Sequence, residues 1–494
     1  MTIIKSKFFK NFLLLTFSTL IINVVEMLTN IYITNKIGTT VLGSYSLIMN
    51  FFNFLVTVSL FGIPLAITKI VSENDILKKD SSIACSSKLA CKFCAIISVS
   101  VCIFTILFKD KLASILLNNI IDPNVIIILA LSLPFIALTS CFCGYFNALR
   151  ETNKPIITEF LTHIVKTFSI VTLLYINFPT YKCLTLSIFL SEFTSFIYAF
   201  ILYKKDVKSY TIDKNENKLK IIKNIFRISA PISFTSFIRS GLSTLKHTLI
   251  PIRLQSYGYS YEYALSRYGI IHGISLPFIL MPSIFINSFS SLILPEYSRY
   301  FASNNVEKIK NITQKIFKIT IFLSLYISFI IYISADIICF KLYSNHEVAY
   351  YVKILTPIIC IMYIDSIADS MLKGLDLQVG VMKINIIDLL ISITLIYFGI
   401  PFLGTFGYIL VLYVSEYING LMSIDKILKK ANIQFRYLEW VIKPLICLFT
   451  SLFIINLLPF QIINLQSLLF VLIIFSTIFI FLTSLMNLIP KLLK

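Results

Sequence analysis

Leu42-Gly43-Ser44-Tyr45-Ser46-Leu47-Ile48, running on to Ser72-Glu73, comes back as Leu265-Ser266-Arg267-Tyr268-Gly269-Ile270, running on to Pro295-Glu296. Tyr45 to Tyr268 and Glu73 to Glu296 are both 223 residues apart. A second echo, Tyr145-Phe146-Asn147-Ala148-Leu149 against Met371-Leu372-Lys373-Gly374-Leu375, has a spacing of 226 residues. Two halves repeated in the same order describe a machine made of like units with a binding site between them. The apolar pattern puts six crossings between Tyr45 and Tyr268. The chain then re-enters in the same direction, and the halves are related by an axis along the membrane normal.

The rest of the composition agrees. Of the 494 residues, 57% are hydrophobic and only 14% charged, against roughly 25% charged in soluble proteins. We read an all-α, polytopic integral membrane protein of about 14 transmembrane helices, each near the roughly 20 residues that cross a bilayer. Residues 1–204 form an N-lobe of helices 1–6, and 205–227 a basic cytoplasmic linker. Residues 228–430 form a C-lobe of helices 7–12, and 431–494 an appended pair, helices 13 and 14. Each lobe is a six-helix bundle. The run Phe8 to Ile37 is too long for a signal peptide and has no small-residue cleavage site, so it is expected to persist as helix 1.

The formal charge of +19 does not indicate nucleic acid, because the cations follow the loops. About 30 of the 43 Lys and Arg fall on one side if Lys5, Lys7 and Lys10 are cytoplasmic, which places both termini in the cytoplasm. Cys91-x2-Cys94 and Cys141-x-Cys143 lie in or beside apolar spans without a second ligand pair, so cysteine reads as a small packing residue and no metal is expected. No Gly-rich nucleotide turn and no acidic headgroup-level loop points to an enzyme.

Charges inside spans carry the functional signal, since each costs about 2.5–3.5 kcal/mol at the bilayer centre unless paired or hydrated. Helix 1 puts Asn23, Glu26 and Asn30 on one face, and Asn50 follows in helix 2. Helix 5 carries Glu159, His163 and Lys166, and helix 10 carries Asp365, Asp369 and Lys373, each as one stripe. Helix 7 offers Arg239, Lys246 and His247, helix 8 adds Arg267 and His272, and helix 11 adds Asp388. Arg239, Lys246, His247, Arg267, His272, Asn23, Glu26, Asn30 and Asn50 are the candidate substrate-binding residues of a hydrated path. Glu159, Lys166, Asp365, Asp369 and Asp388 are candidates for ion coupling or charge balance. The plain alternative for helix 5 is surface pairing near an interface.

The stretch Arg239-x-Gly241-Leu242-Ser243-Thr244-Leu245-x-His247-Thr248-Leu249-Ile250-Pro251, with Ser266-x-Tyr268-Gly269-Ile270 and Leu294-Pro295-Glu296, resembles the stage V sporulation protein B branch of oligosaccharide and lipid II flippases. Ile37-Gly38, Leu42-Gly43-x-Tyr45, Phe61-Gly62-Ile63-Pro64-x-Ala66-Ile67-x-Lys69 and Gly144-Tyr145-Phe146 extend the resemblance over essentially the whole chain. It implies the multidrug, oligosaccharidyl-lipid and polysaccharide exporter fold: twelve helices in two bundles, plus two more. It also implies transport of undecaprenyl-pyrophosphate-linked saccharides between leaflets of the bacterial cell membrane, in peptidoglycan made during endospore formation. Relatives often carry basic residues in helix 1, where this chain has Asn23 and Asn30, and an acid where it has Lys246.

Such a lipid has an anionic head and an apolar tail that trails through the bilayer. Arg239 and Arg267 are expected to grip pyrophosphate oxygens, supplemented by Lys246 and His247. Asn23, Asn30 and Asn50 are expected to meet sugar hydroxyls. Pro64, Pro134, Pro277 and Pro282 are expected to bend helices. No cofactor is implied; the drive is membrane potential, H⁺ or Na⁺. Partners are the bilayer, the lipid-linked saccharide and, on one reading, cell-wall synthases, with no nucleic acid. The rivals are a cation-coupled multidrug exporter, a polyprenyl transferase and a non-transporting scaffold.

Overall fold

The computed structural model describes the backbone of residues 2–77, 80–117, 122–208, 218–303, 306–457 and 464–486. The middle of the basic linker lies outside the described residues, as do the side chains of Lys5, Lys7, Lys10 and the Pro295-Glu296 landmark. Helices account for nearly all of what is described. In chain order they are α1 (Thr2–Ile37), α2 (Thr39–Leu60), α3 (Ile63–Ile76), α4 (Asp80–Leu107), α5 (Lys109–Leu117) and α6 (Asn124–Ala148). Then follow α7 (Asn153–Tyr175), α8 (Thr180–Val207), α9 (Lys218–Ser256), α10 (Tyr261–Tyr268), α11 (Leu276–Leu280) and α12 (Ser283–Ala302). The series ends with α13 (Val306–Tyr343), α14 (His346–Leu355), α15 (Ile358–Gly374), α16 (Gln378–Ala431), α17 (Lys443–Leu457) and α18 (Leu465–Leu485). Wider π turns join α10 to α11 at Gly269–Ser275 and precede α17 at Leu438–Ile442.

The chain is an all-α, multi-pass membrane protein. Among the described residues, 10 helices are long and apolar enough to cross a bilayer, or 11 if α14 and α15, bent by 54°, count as one span. Two helical regions escape that count and a third enters it only once, for identifiable reasons. Arg227, Arg239, Lys246 and Arg253 interrupt the apolar character of α9. The α10–α12 region is cut by the π turn and Pro282. In α16, two helices run together across Gly404, whose φ of 58° and ψ of −135° are non-helical.

The chain divides into two compact units, one of Met1–Tyr32 and Ser44–Thr248, the other of Ile33–Gly43 and Leu249–Lys494. In the first, α3, α4, α6 and α8 pack around small side chains: Ala66, Ala84, Ala90, Cys94, Ala137 and Cys141 are all fully buried. Small residues let helices approach closely where lipid offers no hydrophobic drive between them. At Gly144 a Cβ would come within 2.7 Å of the Pro64 carbonyl oxygen, and Thr68 Oγ1 donates to the Gly144 carbonyl oxygen at 2.9 Å. Ser187, Ser191 and Ser195 line a buried face of α8, and Ser195 shares a 2.6 Å hydrogen bond with Thr162 of α7.

The repeated motif has a structural counterpart. Phe61 and Gly62, at φ 45° and 61°, break α2 from α3, and Met281-Pro282 breaks α11 from α12. Each copy of the echo is therefore an interrupted helix. Of the four prolines expected to bend helices, Pro64 and Pro282 border these breaks, Pro277 begins α11, and Pro134 sits inside α6. In the second unit the motif glycines serve a close crossing. A Cβ on Gly269 would lie 2.8 Å from the Gly43 nitrogen, and one on Gly43 would lie 2.9 Å from the Leu265 carbonyl carbon. Thr39 and Ser266 hydroxyls share a 2.7 Å hydrogen bond at the same crossing.

Candidate functional site

In the first unit, α1 and α7 bring together the charges that helical spacing placed on single faces. Lys166 Nζ lies 3.3 Å and His163 Nδ1 3.1 Å from Glu26 Oε1. One turn along, Thr29 and Thr167 hydroxyls share a 2.9 Å hydrogen bond, locking the same helix pair. Glu192 of α8 adds a second carboxylate in the field of Lys166 and His163. Sequence reading missed it, because its neighbours on α8 are hydroxylic and apolar and its partners belong to another helix. Two carboxylates, an ammonium and an imidazole thus gather here, so that neither sign of charge stands alone in apolar surroundings. Glu159 belongs to the same α7 stripe but is exposed and makes no ion pair among the described residues.

Two of the amides expected to meet sugar hydroxyls donate within their own helices. Asn23 Nδ2 donates 2.8 Å to the Thr19 carbonyl, and Asn50 Nδ2 donates 2.8 Å to the Ser46 carbonyl, each one turn back on its own helix. This satisfies one donor N–H of each amide in an apolar setting. Thr244 of α9 donates to the Asn50 carbonyl at 3.2 Å, so α2 and α9 adjoin there. Asn30, Lys246 and His247 are all partly buried. Arg239, in the middle of α9, is exposed and has no ion pair among the described residues.

The second unit holds two further groups. Arg267 NH1 lies 2.8 Å from Glu347 Oε2 and 3.3 Å from the Tyr351 hydroxyl. It also donates to the Tyr263 hydroxyl and stands 4.4 Å from that ring's centroid. Arg267 is thus a compensated cation, held by a carboxylate that sequence reading did not single out. His272 stacks on Tyr268 at 5.1 Å, inside the π turn. Arg253, also not singled out, lies 3.7 Å over the Tyr397 ring.

The acidic stripe of α15 meets the second part of α16, which also meets Asp388 of the first part. Asn419 Nδ2 donates 3.1 Å to Asp365 Oδ2, and the Ser415 hydroxyl 2.7 Å to Asp388 Oδ1. The Ser423 hydroxyl stands 3.4 Å from Asp369 Oδ1, and Lys373 Nζ 3.9 Å from Asp369 Oδ2. Asp365 Oδ1 is buried without a hydrogen-bond partner. Three carboxylates near one ammonium leave negative charge that a proton or monovalent cation would neutralise. Among the described residues no three His, Cys, Asp or Glu converge as metal ligands.

Comparison with known proteins gives these groups a setting. A family model described as polysaccharide biosynthesis protein matches residues 8–301, and one described as lipid II flippase MurJ matches residues 276–372. The chain is 20% identical over 450 residues to stage V sporulation protein B of Bacillus subtilis (strain 168), spanning 89% of this chain and 87% of that one. Among solved structures it is similar to a lipid II flippase MurJ in an inward closed conformation, with a TM-score of 0.74, 16% identity, and coverage of 96% and 98% of the two chains. An inward-facing multidrug resistance MATE family transporter of the MOP superfamily aligns with a TM-score of 0.65, 13% identity, and coverage of 84% and 96%. These matches bear out the resemblance read from the motifs, and the structural likenesses establish the fold.

Proposed function

Because this chain belongs to the polysaccharide biosynthesis protein family, we propose that it is a flippase. It carries an undecaprenyl-pyrophosphate-linked saccharide, a lipid II-like peptidoglycan precursor or a polysaccharide unit, from the inner to the outer leaflet of a bacterial cell membrane. The similarity to stage V sporulation protein B supports a place in spore cortex or cell-wall formation. The observation that carries the reading is Arg239. A guanidinium in the middle of a 39-residue helix, without a carboxylate partner among the described residues, calls for an anion, and a pyrophosphate supplies one. The same charge disfavours the organic cations of the multidrug alternative.

We count fourteen crossings by taking α9 and the α10–α12 region as one span each, α14 with α15 as one, and the two parts of α16 as two. The domain limits read from sequence, with both termini cytoplasmic, belong to this proposal and rest on the positive-inside distribution. Inside-negative potential favours outward movement of the anionic head by about 2.3 kcal/mol per charge per 100 mV. The Asp365 group supplies an H⁺ or Na⁺ step or balances charge. Flipping of a fluorescent polyprenyl-pyrophosphate saccharide in proteoliposomes tests the proposal. Arg239→Ala is expected to slow it at least tenfold, and wild-type protein that moves cationic dyes but no such lipid would sink it.

A further inference from the structure

A separate cavity of about 730 Å³ opens in the first unit where α3 ends and α4 and α9 begin. Its charged and polar lining comes from Lys69, Glu73 and Asn74 of α3, Ser82 of α4, and Lys220, Asn224 and Arg227 of α9. Residues 220, 224 and 227 are spaced by four and three, so they share one helix face. Three cations stand against one carboxylate. Ser82 and Lys220 lie in the first turns of α4 and α9, so two helix N-termini, with their free N–H groups and positive dipole ends, meet at this cavity.

The walls are held in place by packing. Phe226 lies 5.9 Å from Phe61 and 5.6 Å edge-on from Phe93. At Gly62 a Cβ would stand 3.0 Å from the Ser229 carbonyl oxygen, so α9 sits close against the α2–α3 break. Ile70 and Ile221 give the cavity an apolar floor. Leu65, Ile76, Leu77 and Leu219, within four residues of lining residues along the chain, are exposed, as expected at the level where acyl chains meet headgroups. Cations, helix N-termini and an apolar rim together match a phosphate carried on a hydrocarbon tail.

We propose that this cavity binds the phosphate headgroup of an anionic lipid. The site is distinct from the intramembrane Glu26 cluster, and the inference holds whether or not the protein flips a saccharide lipid. The ligand is a phosphate or pyrophosphate ester: a phospholipid such as phosphatidylglycerol, or a polyprenyl pyrophosphate. Lys220 and Arg227 hold the oxyanion from α9 and Lys69 from α3, and these three cations outweigh Glu73, so the site prefers headgroups of net negative charge.

The test is ligand titration of the full-length detergent-solubilised protein by thermophoresis. Dioleoylphosphatidylglycerol, dioleoylphosphatidylcholine, farnesyl pyrophosphate and inorganic pyrophosphate are the probes. Phosphatidylglycerol and farnesyl pyrophosphate are expected to bind at least tenfold more tightly than phosphatidylcholine. Lys220→Gln with Arg227→Gln should weaken both at least tenfold. Binding by inorganic pyrophosphate as tight as by farnesyl pyrophosphate would assign the site to a free anion and overturn the lipid assignment. Unchanged binding in the double variant would overturn the site. Should that variant unfold, Lys69→Gln on the neighbouring helix serves instead, with at least a threefold loss expected and no loss counting against the site.

Discussion

Gly269→Ala adds a single methyl group where two backbones touch. Its carbon would lie 2.8 Å from the Gly43 nitrogen and 3.0 Å from the Gly43 Cα, with the Thr39 carbonyl oxygen closer still. Carbon atoms pack comfortably at about 3.5–4.0 Å, so the helices must part by roughly 1 Å. Parting stretches the 2.7 Å Thr39–Ser266 hydrogen bond past the useful limit. Overpacking costs about 1–3 kcal/mol and the lost hydrogen bond about 1 kcal/mol, for a total near 2–4 kcal/mol. That is about a 30- to 700-fold fall in the folding equilibrium. The control is Gly399→Ala, where an added Cβ meets nothing within 4 Å and the helix gains up to about 1 kcal/mol. Denaturant unfolding in mild detergent reads both variants. Opposite signs are expected; a Gly269→Ala protein as stable as wild type would refute the idea that the repeated motif exists to let these helices touch.

Three further outcomes follow from the charge groups. Glu26→Gln is expected to destabilise by about 1 kcal/mol, a modest figure because that carboxylate is 42% exposed and screened. A double-mutant cycle with Lys166→Met should return most of it as coupling, and no coupling would show that the pair is incidental. Asp365→Asn imitates the protonated acid, so the variant should fold as well as wild type while its flipping loses dependence on a pH gradient; unaltered dependence would remove Asp365 from any proton step. Asp122 lies outside the spans, and the Asn124 backbone N–H, with Lys182 second, holds its carboxyl below the ordinary value. A depressed pKa contributes stability above about pH 4, lost as pH falls through the folded value. Asp122→Asn should therefore be less stable than wild type near neutrality, and the difference should vanish as pH falls through the folded value, below about pH 4.

The parts of this architecture legible in the sequence are those written along one helix. Asn23, Glu26 and Asn30 are legible as one stripe and Glu159, His163 and Lys166 as another, and the structure joins Glu26 to His163 and Lys166. Asp365, Asp369 and Lys373 likewise share one face. What the sequence concealed is the partner from elsewhere: Glu192 for Lys166, Glu347 for Arg267, Asn419 and Ser423 for the α15 carboxylates, Ser415 for Asp388. A lone Glu or Asn in an apolar run has no local signature of whom it faces. Gly404 was equally silent, since one glycine among helix formers looks like any other until its backbone angles are known. The amides of Asn23 and Asn50 resisted reading for another reason: in an apolar medium the nearest acceptor is the backbone of their own helix.

The wide turn at Gly269–Ser275 changes the bookkeeping of angles along its span. Each residue of an α-helix advances about 100° around the axis, and a π turn absorbs an additional residue without starting another revolution. Everything from Leu276 onward is thereby clocked relative to Tyr268 and Arg267. Deleting one amino acid within 269–275 would restore ordinary winding and leave Ile279, fully buried, turned toward nearly the same neighbours, whereas a deletion in regular helix rotates everything beyond it by about 100°. This segment therefore tolerates a change of chain length that its neighbours do not.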